Sequence, residues 1–161
     1  MAATHLFPDE NVIVVDFGTA TTLDVVTAGR EHLGGLILPG LRIQMEALEQ
    51  NTARLPNVEI RPGVELLGRS TIECIQAGLY FGNRAAVAGL TREIREQILP
   101  AQGCRVVATG GFARLFERDP IFDVVVPDLP LVGLKRALSL NPEGSTVWAE
   151  SGGDTARRAS D

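Results

Sequence analysis

The run NVIVVDFGTATTLDVV, from Asn11 to Val26, decides the fold. Asn11 to Asp16 is continuous and rich in β-branched residues, which predicts a strand buried on both faces. The next residues, Phe17-Gly18-Thr19-Ala20-Thr21-Thr22, are mostly small or hydroxyl-bearing and predict a turn, after which Leu23 to Val26 resumes strand character. Ala28-Gly29-Arg30-Glu31 supplies a second turn, and LGGLIL, Leu33 to Leu38, a third strand. Turns this short join antiparallel neighbours, so the chain opens as a three-stranded meander.

At Pro39-Gly40 the period changes. Leu41, Ile43, Met45, Ala47 and Leu48 make a helical stripe ending near Asn51–Arg54, with irregular chain through Pro62-Gly63. Ser70-Thr71-Ile72-Glu73 then reads as a hydroxyl cap with a carboxylate in the first turn, favoured there by the helix dipole. The helix it opens is expected to run to Ile98, roughly 40 Å, with Ile72, Ile75, Leu79, Ala86, Leu90, Ile94 and Ile98 along one face. Gly78, Gly82 and Gly89 each weaken that helix by about 1 kcal/mol relative to alanine. Close packing within the chain and a subunit interface both explain them at this point. Beyond Pro100 and Gly103 come a strand at Arg105–Thr109, a short helix at Ala113–Arg118, a strand at Asp123–Val126 and a helix at Leu131–Leu140. A meander followed by helix–strand alternation is the α/β, ribonuclease-H-like arrangement, a mixed sheet with helices on both faces. This unit also recurs in the actin, sugar-kinase and Hsp70 superfamily. Residues 1–141 form the expected domain, and the Gly- and Ser-rich residues 142–161 an expected disordered tail.

Composition narrows the function. The chain has 161 residues, 45 % of them hydrophobic, and a net charge of −5, which argues against nucleic acid as a default partner, since phosphate binding wants a basic face. No apolar run reaches membrane-spanning length and no basic flank precedes an apolar start, so the expectation is a cytoplasmic protein. Lys135 is the only lysine, and it does not sit in a Walker-type phosphate loop. Phosphate would have to be met by backbone N–H groups, hydroxyls, arginine or a cation. Cys74 and Cys104 have no metal-binding spacing and are expected as reduced core residues, and two histidines argue against a His-based zinc site.

Two glycine turns carry the chemistry. Asp16 ends a buried strand, so its carboxylate emerges at the sheet edge. Gly18 lets the backbone approach a ligand, and Thr19, Thr21 and Thr22 offer hydroxyls. Thr109-Gly110-Gly111 directly follows a later strand, where paired glycines let a flat group such as a purine lie against backbone. Each turn alone is equally a tight connection with locally satisfied groups. Gly68-Arg69-Ser70-Thr71 opens the long helix, where an acceptor can bind or the hydroxyls can simply cap. Arg42 and Arg54 flank the first helix as possible phosphate contacts or solvated side chains. Glu46, mid-helix, could be catalytic, though nothing in its spacing requires it.

Taken in order, VDFGTATTLDVV (Val15–Val26), GGLILPGLRIQMEAL (Gly34–Leu48), TARLPNVEI (Thr52–Ile60), GRSTIECIQAGLYFG (Gly68–Gly82), VVATGGFARL (Val106–Leu115) and VVVPDLPLVGL (Val124–Leu134) resemble the type III pantothenate kinases. That family phosphorylates pantothenate with ATP, the first step of coenzyme A synthesis, and includes Bvg accessory factor-like proteins. The resemblance implies that Asp16 is the ligand of a monovalent cation, normally potassium, beside the ATP phosphates. It implies further that Thr19 contacts ATP, that Gly110 and Gly111 form the adenine-side turn, and that Thr71 contacts pantothenate. Magnesium is a further candidate cofactor. It also implies a homodimer with the long helix near the interface.

The family begins with a domain carrying a D-x-G-N-T phosphate loop and a G-x-D-R segment whose aspartate is the general base. Neither motif occurs in this chain. The resemblance is therefore to the C-terminal domain, with no catalytic residue of its own, a separate N-terminal domain as a candidate partner, and an inactive isolated chain expected. A non-catalytic Bvg-accessory-like interaction protein is the alternative. A ribonuclease-H-type nuclease ranks lower, because the glycine–threonine turn after Asp16 suits phosphate better than a metal cluster.

Overall fold

The computed structural model describes residues 1–52, 55–99 and 103–141. Arg54, Pro100 and residues 142–161, with the expected tail, lie outside the described residues. The elements are α1 (Ala2–Leu6), β1 (Asn11–Phe17), β2 (Ala20–Val26), β3 (His32–Pro39), α2 (Leu41–Gln50), α3 (Thr71–Gln97), β4 (Cys104–Thr109), a 3-10 turn (Ala113–Phe116), β5 (Val124–Val125) and α4 (Leu129–Leu140). The sheet order is β3-β2-β1-β4-β5. β1, β2 and β3 are antiparallel neighbours, while β4 and β5 run parallel to β1. This is the expected ribonuclease-H-like α/β sheet, and β1 is central because its β-branched residues can be buried on both sides.

The two sides are packed differently. On one, Ile13, Val15, Phe17, Leu23 and Val106 meet Ile75, Leu79, Val87 and Ile94 of α3 and Leu41 of α2 in the larger core. Phe17 stacks on Phe116 with centroids 4.7 Å apart, and Phe116 on Tyr80 at 5.2 Å. On the other, Val12 and Val107 meet only Ala3 and Leu129, with a few half-buried neighbours. No described helix is long and apolar enough to cross a membrane.

Several expectations shift in detail. The first turn is tighter than its composition suggests: the Gly18 N–H donates to the Ala20 carbonyl at 3.1 Å, and β2 resumes at Ala20. Thr21 and Thr22 are therefore strand residues on opposite faces, and only Thr19 stays in the turn. α3 begins with a full capping box, Ser70 and Glu73 satisfying each other's backbone N–H groups. Its buried seam is Ile75, Leu79, Asn83, Val87, Thr91 and Ile94, whereas Ile72 and Ile98 are half-exposed. Asn83 is tolerated there because it exchanges paired amide hydrogen bonds with Gln44 of α2, both 3.0 Å. Cys74 is exposed and Cys104 half-buried, both free, so neither is a core residue. Gly78, Gly82 and Gly89 have nothing within 4 Å of where a Cβ would stand, so packing within the described chain does not account for them.

Candidate functional site

The C-terminal ends of β1 and β4 lie side by side, with Asp16 opposite Thr109 in the parallel register. That pairing brings the two glycine turns together. Gly110 adopts φ +92°, and a Cβ there would overlap the Asp16 carboxylate and fall 2.7 Å from the Phe17 carbonyl. Only glycine fits. The Phe112 N–H donates back to the Phe17 carbonyl at 3.2 Å, closing the two loops on each other. Beneath Thr19, a Cβ at Gly40 would overlap the Thr19 carbonyl, so the start of α2 buttresses the first turn. Asp16, Gly18, Thr19 and Gly110 thus form one constellation. Gly111 follows on its exposed side, with open space around it.

The Asp16 side chain receives no hydrogen bond among the described residues. It lines a cavity of about 350 Å³ with Thr22, Asp24, His32 and Thr109, walled by Leu129, Pro130 and Gly133 of α4 and by residues 1–3. Burial, and secondarily the Asp24 carboxylate, push the Asp16 carboxyl above its ordinary range. Asp24 accepts from Thr22 Oγ1 at 3.2 Å and faces His32 Nε2 at 3.0 Å. Thr109 is turned away from the cavity chemistry, its hydroxyl donating to the Pro127 carbonyl at 3.1 Å. Asp24 and His32, beside the expected Thr22, escaped the sequence reading, although strand alternation from the Asp16 register carries the signal for Asp24: Thr22 pairs with Asp16, and Asp24 is its neighbour on that face.

These donors suit a weakly held cation. Two carboxylates and a hydroxyl are hard oxygen donors, and an unpartnered, partly desolvated carboxylate gains from any positive charge brought beside it. No group of three or more His, Cys, Asp or Glu able to hold a metal forms among the described residues.

Thr71 stands elsewhere. It makes no side-chain hydrogen bond among the described residues, because Ser70 and Glu73 do the capping. It lies on the rim of an apolar groove of about 780 Å³ between α2 and α3, lined by Gln44, Leu48, Leu55, Ile75 and Leu79. The groove that Thr71 lines and the cavity that Asp16 lines share no residue. Arg42 is exposed at the start of α2, and Glu46 is half-exposed within it.

Residues 1–93 match the family model described as type III pantothenate kinase. The chain belongs to the type III pantothenate kinase family. It is 47 % identical over 141 residues to the type III pantothenate kinase of Legionella pneumophila strain Corby, covering 88 % of this chain and 55 % of that protein. It is 42 % identical over the same length to type III pantothenate kinase 1 of Francisella tularensis subsp. holarctica, again 88 % and 55 %. The chain thus spans about half the length of the curated relatives it matches. A crystal structure from Campylobacter jejuni, described as a Baf family transcriptional activator, superposes with a TM-score of 0.57 at 22 % identity, over 88 % of this chain and 63 % of that one. That likeness confirms the fold.

Proposed function

We propose that this chain is the cation- and nucleotide-binding half of a type III pantothenate kinase, and that it works only when the other half is supplied. The observation that carries the reading is the unpartnered Asp16 carboxylate set between the Gly18–Thr19 and Gly110–Gly111 turns. Asp16, with Asp24 and Thr22 behind it, would hold a monovalent cation such as potassium, which supplies positive charge beside the ATP phosphates. Thr19 and the turn amides offer donors to phosphate oxygens, and the Gly110–Gly111 backbone leaves room for the adenine side. Thr71, its hydroxyl free on the rim of an apolar groove, suits the polar end of pantothenate. In the reaction, the pantothenate hydroxyl oxygen would bond to the γ-phosphorus of ATP, ADP would leave, and the hydroxyl proton would pass to a base. A base must lie within hydrogen-bond reach of its proton, and no carboxylate of this chain matches the family's base. The work therefore divides: this half orients phosphate and cation, and the portion of the relatives that this chain does not span deprotonates and excludes water. The long face of α3 with its open glycines suits a homodimer contact.

The test is a chimera joining residues 1–161 to the N-terminal portion of the Legionella relative. The chimera is expected to phosphorylate pantothenate from ATP with a kcat in the usual kinase range of about 1–100 s⁻¹. Potassium should stimulate it, and the isolated chain should show no turnover. Turnover by the isolated chain in that range would overturn the division of labour. A folded chimera that neither binds ATP nor turns over would favour the non-catalytic, Bvg-accessory-like role.

A further inference from the structure

The Thr19 turn and the Thr71 groove are separate places in the fold, and Gln44 of α2 is tied to both. Its side chain lines the groove. Its Nε2 donates to the Pro39 carbonyl at 2.7 Å and to Asn83 Oδ1 of α3 at 3.0 Å, while its Oε1 accepts from Asn83 Nδ2 at 3.0 Å. Both N–H groups of that amide are used. Asn83 is buried and gives its second N–H to the Leu79 carbonyl at 2.8 Å, which anchors the pair on α3. These paired amides are the only side-chain hydrogen bonds between α2 and α3 among the described residues. On the other side, Pro39 forms the last rung of β3, opposite Ala20, and a Cβ at Gly40 would overlap the Thr19 carbonyl. The Gln44 backbone N–H donates to the Gly40 carbonyl at 3.0 Å, and no side chain caps the start of α2. Gln44 therefore holds the two residues on which the Thr19 turn rests.

We propose that Gln44 is a positioning residue: it fixes the Thr19 turn relative to the groove, so that the ATP phosphates and the pantothenate hydroxyl meet in register. The inference rests on the reading that Thr19 meets ATP and that the groove takes pantothenate. The hydrogen bonds of Gln44 differ in what they contribute. The pair with Asn83 is partly buried, and losing it strands a buried amide, which is a stability effect. The bond to Pro39 is exposed, so water replaces it at little cost in stability. Water does not, however, hold the Pro39 carbonyl in a fixed place relative to α3. Both tasks need an amide, because two donors and an acceptor in one plane serve Pro39 and Asn83 together. Methionine has the length of glutamine and neither donor. Reacting atoms must come within about 3–3.5 Å, and a misplacement of about 1 Å costs on the order of a hundredfold in rate, so this exposed bond weighs more on rate than on stability.

The test uses Gln44→Met and the double variant Gln44→Met/Asn83→Leu. The single variant leaves the Asn83 amide short of a partner and should lower the melting temperature. The double variant makes both partners apolar within the seam of Leu79 and Val87, which recovers stability but leaves Pro39 without its donor. In residues 1–161 the Gly18 amide, which donates to the Ala20 carbonyl, should exchange with deuterium at least about tenfold faster in both variants, read relative to the amides of β1 and β4. In the chimera with the Legionella N-terminal portion, both variants should lose at least about tenfold in kcat, with KM for pantothenate and for ATP within about threefold of the parent. A purely structural role returns Gly18 exchange and kcat to parent values in the double variant, and that result overturns the proposal. So does Gly18 exchange that Gln44→Met leaves unchanged. A raised KM for pantothenate with kcat unchanged overturns it too, by making Gln44 a simple groove contact. Quickened Gly18 exchange alongside a chimera without kinase activity would refute the phosphotransfer reading and leave the link between turn and groove standing. An active chimera with Gly18 exchange unchanged in Gln44→Met would do the reverse.

Discussion

The two faces of the sheet divide the work of this molecule. The face under α2 and α3 carries the larger core: its fully buried Phe17, Leu23 and Val87 pack beside stacked aromatics, the seam amide of Asn83 is satisfied, and the groove between the two helices is apolar. The face under α1 and α4 is half-open, with a small apolar cluster, an unpartnered carboxylate and leucines left in solvent. One face supplies the stability of the domain, and the other keeps groups exposed that folding alone would bury or pair. The comparison breaks first in the larger core. Phe17→Ala removes a ring stacked on Phe116 and should cost about 3–5 kcal/mol in urea unfolding. A loss under 1 kcal/mol would mean that the α3 face is not the stabilising one.

The seam between the faces gives a smaller, more local contrast. Gly110 and Gly111 are adjacent, yet only Gly110 combines φ +92° with direct contact on Asp16 and Phe17. Gly110→Ala should cost about 1–3 kcal/mol through strain and displacement of the Asp16 carboxylate. Gly111→Ala, opening into empty space, should stay within about 0.5 kcal/mol. Equal effects in thermal unfolding would refute the close approach of the two turns.

Much of this was legible in the residues. The order of strands follows from β-branched runs and short turns, and the meeting of Asp16 with Gly110 follows once both are placed at the ends of neighbouring parallel strands. What escaped depends on contacts that no local pattern announces. α1 is five residues long, too short for helical periodicity, and packs against α4 from the far end of the chain. The Gln44–Asn83 amide pair makes a polar residue a seam residue, against the expectation that Leu90 and Ala86 would define the face. β5 has only two residues and is fixed by its neighbours: the Asp123 carboxylate accepts from the Val106 N–H at 2.7 Å. The division between Asp16 and Thr71 was likewise invisible, because sequence order says nothing of which cavity a side chain enters.

The smallest expected effect tests the open face most directly. Burial, then Asp24, raises the Asp16 carboxyl in the folded chain above its unfolded value near 3.8. Between those two values the folded state holds more protons than the unfolded one, so stability falls as pH rises through the window, and the cost is complete above it. Asp16→Asn removes that cost. It should unfold at a higher temperature than the parent at neutral pH, with the two midpoints converging as pH falls below about 3.8. Potassium should then raise the parent's midpoint and leave that of Asp16→Asn unmoved, because the charge it would neutralise is gone. A parent more stable than Asp16→Asn at neutral pH without added cation would show instead that the carboxylate is held by the fold, and the open face would lose its claim to be a site kept at the expense of stability.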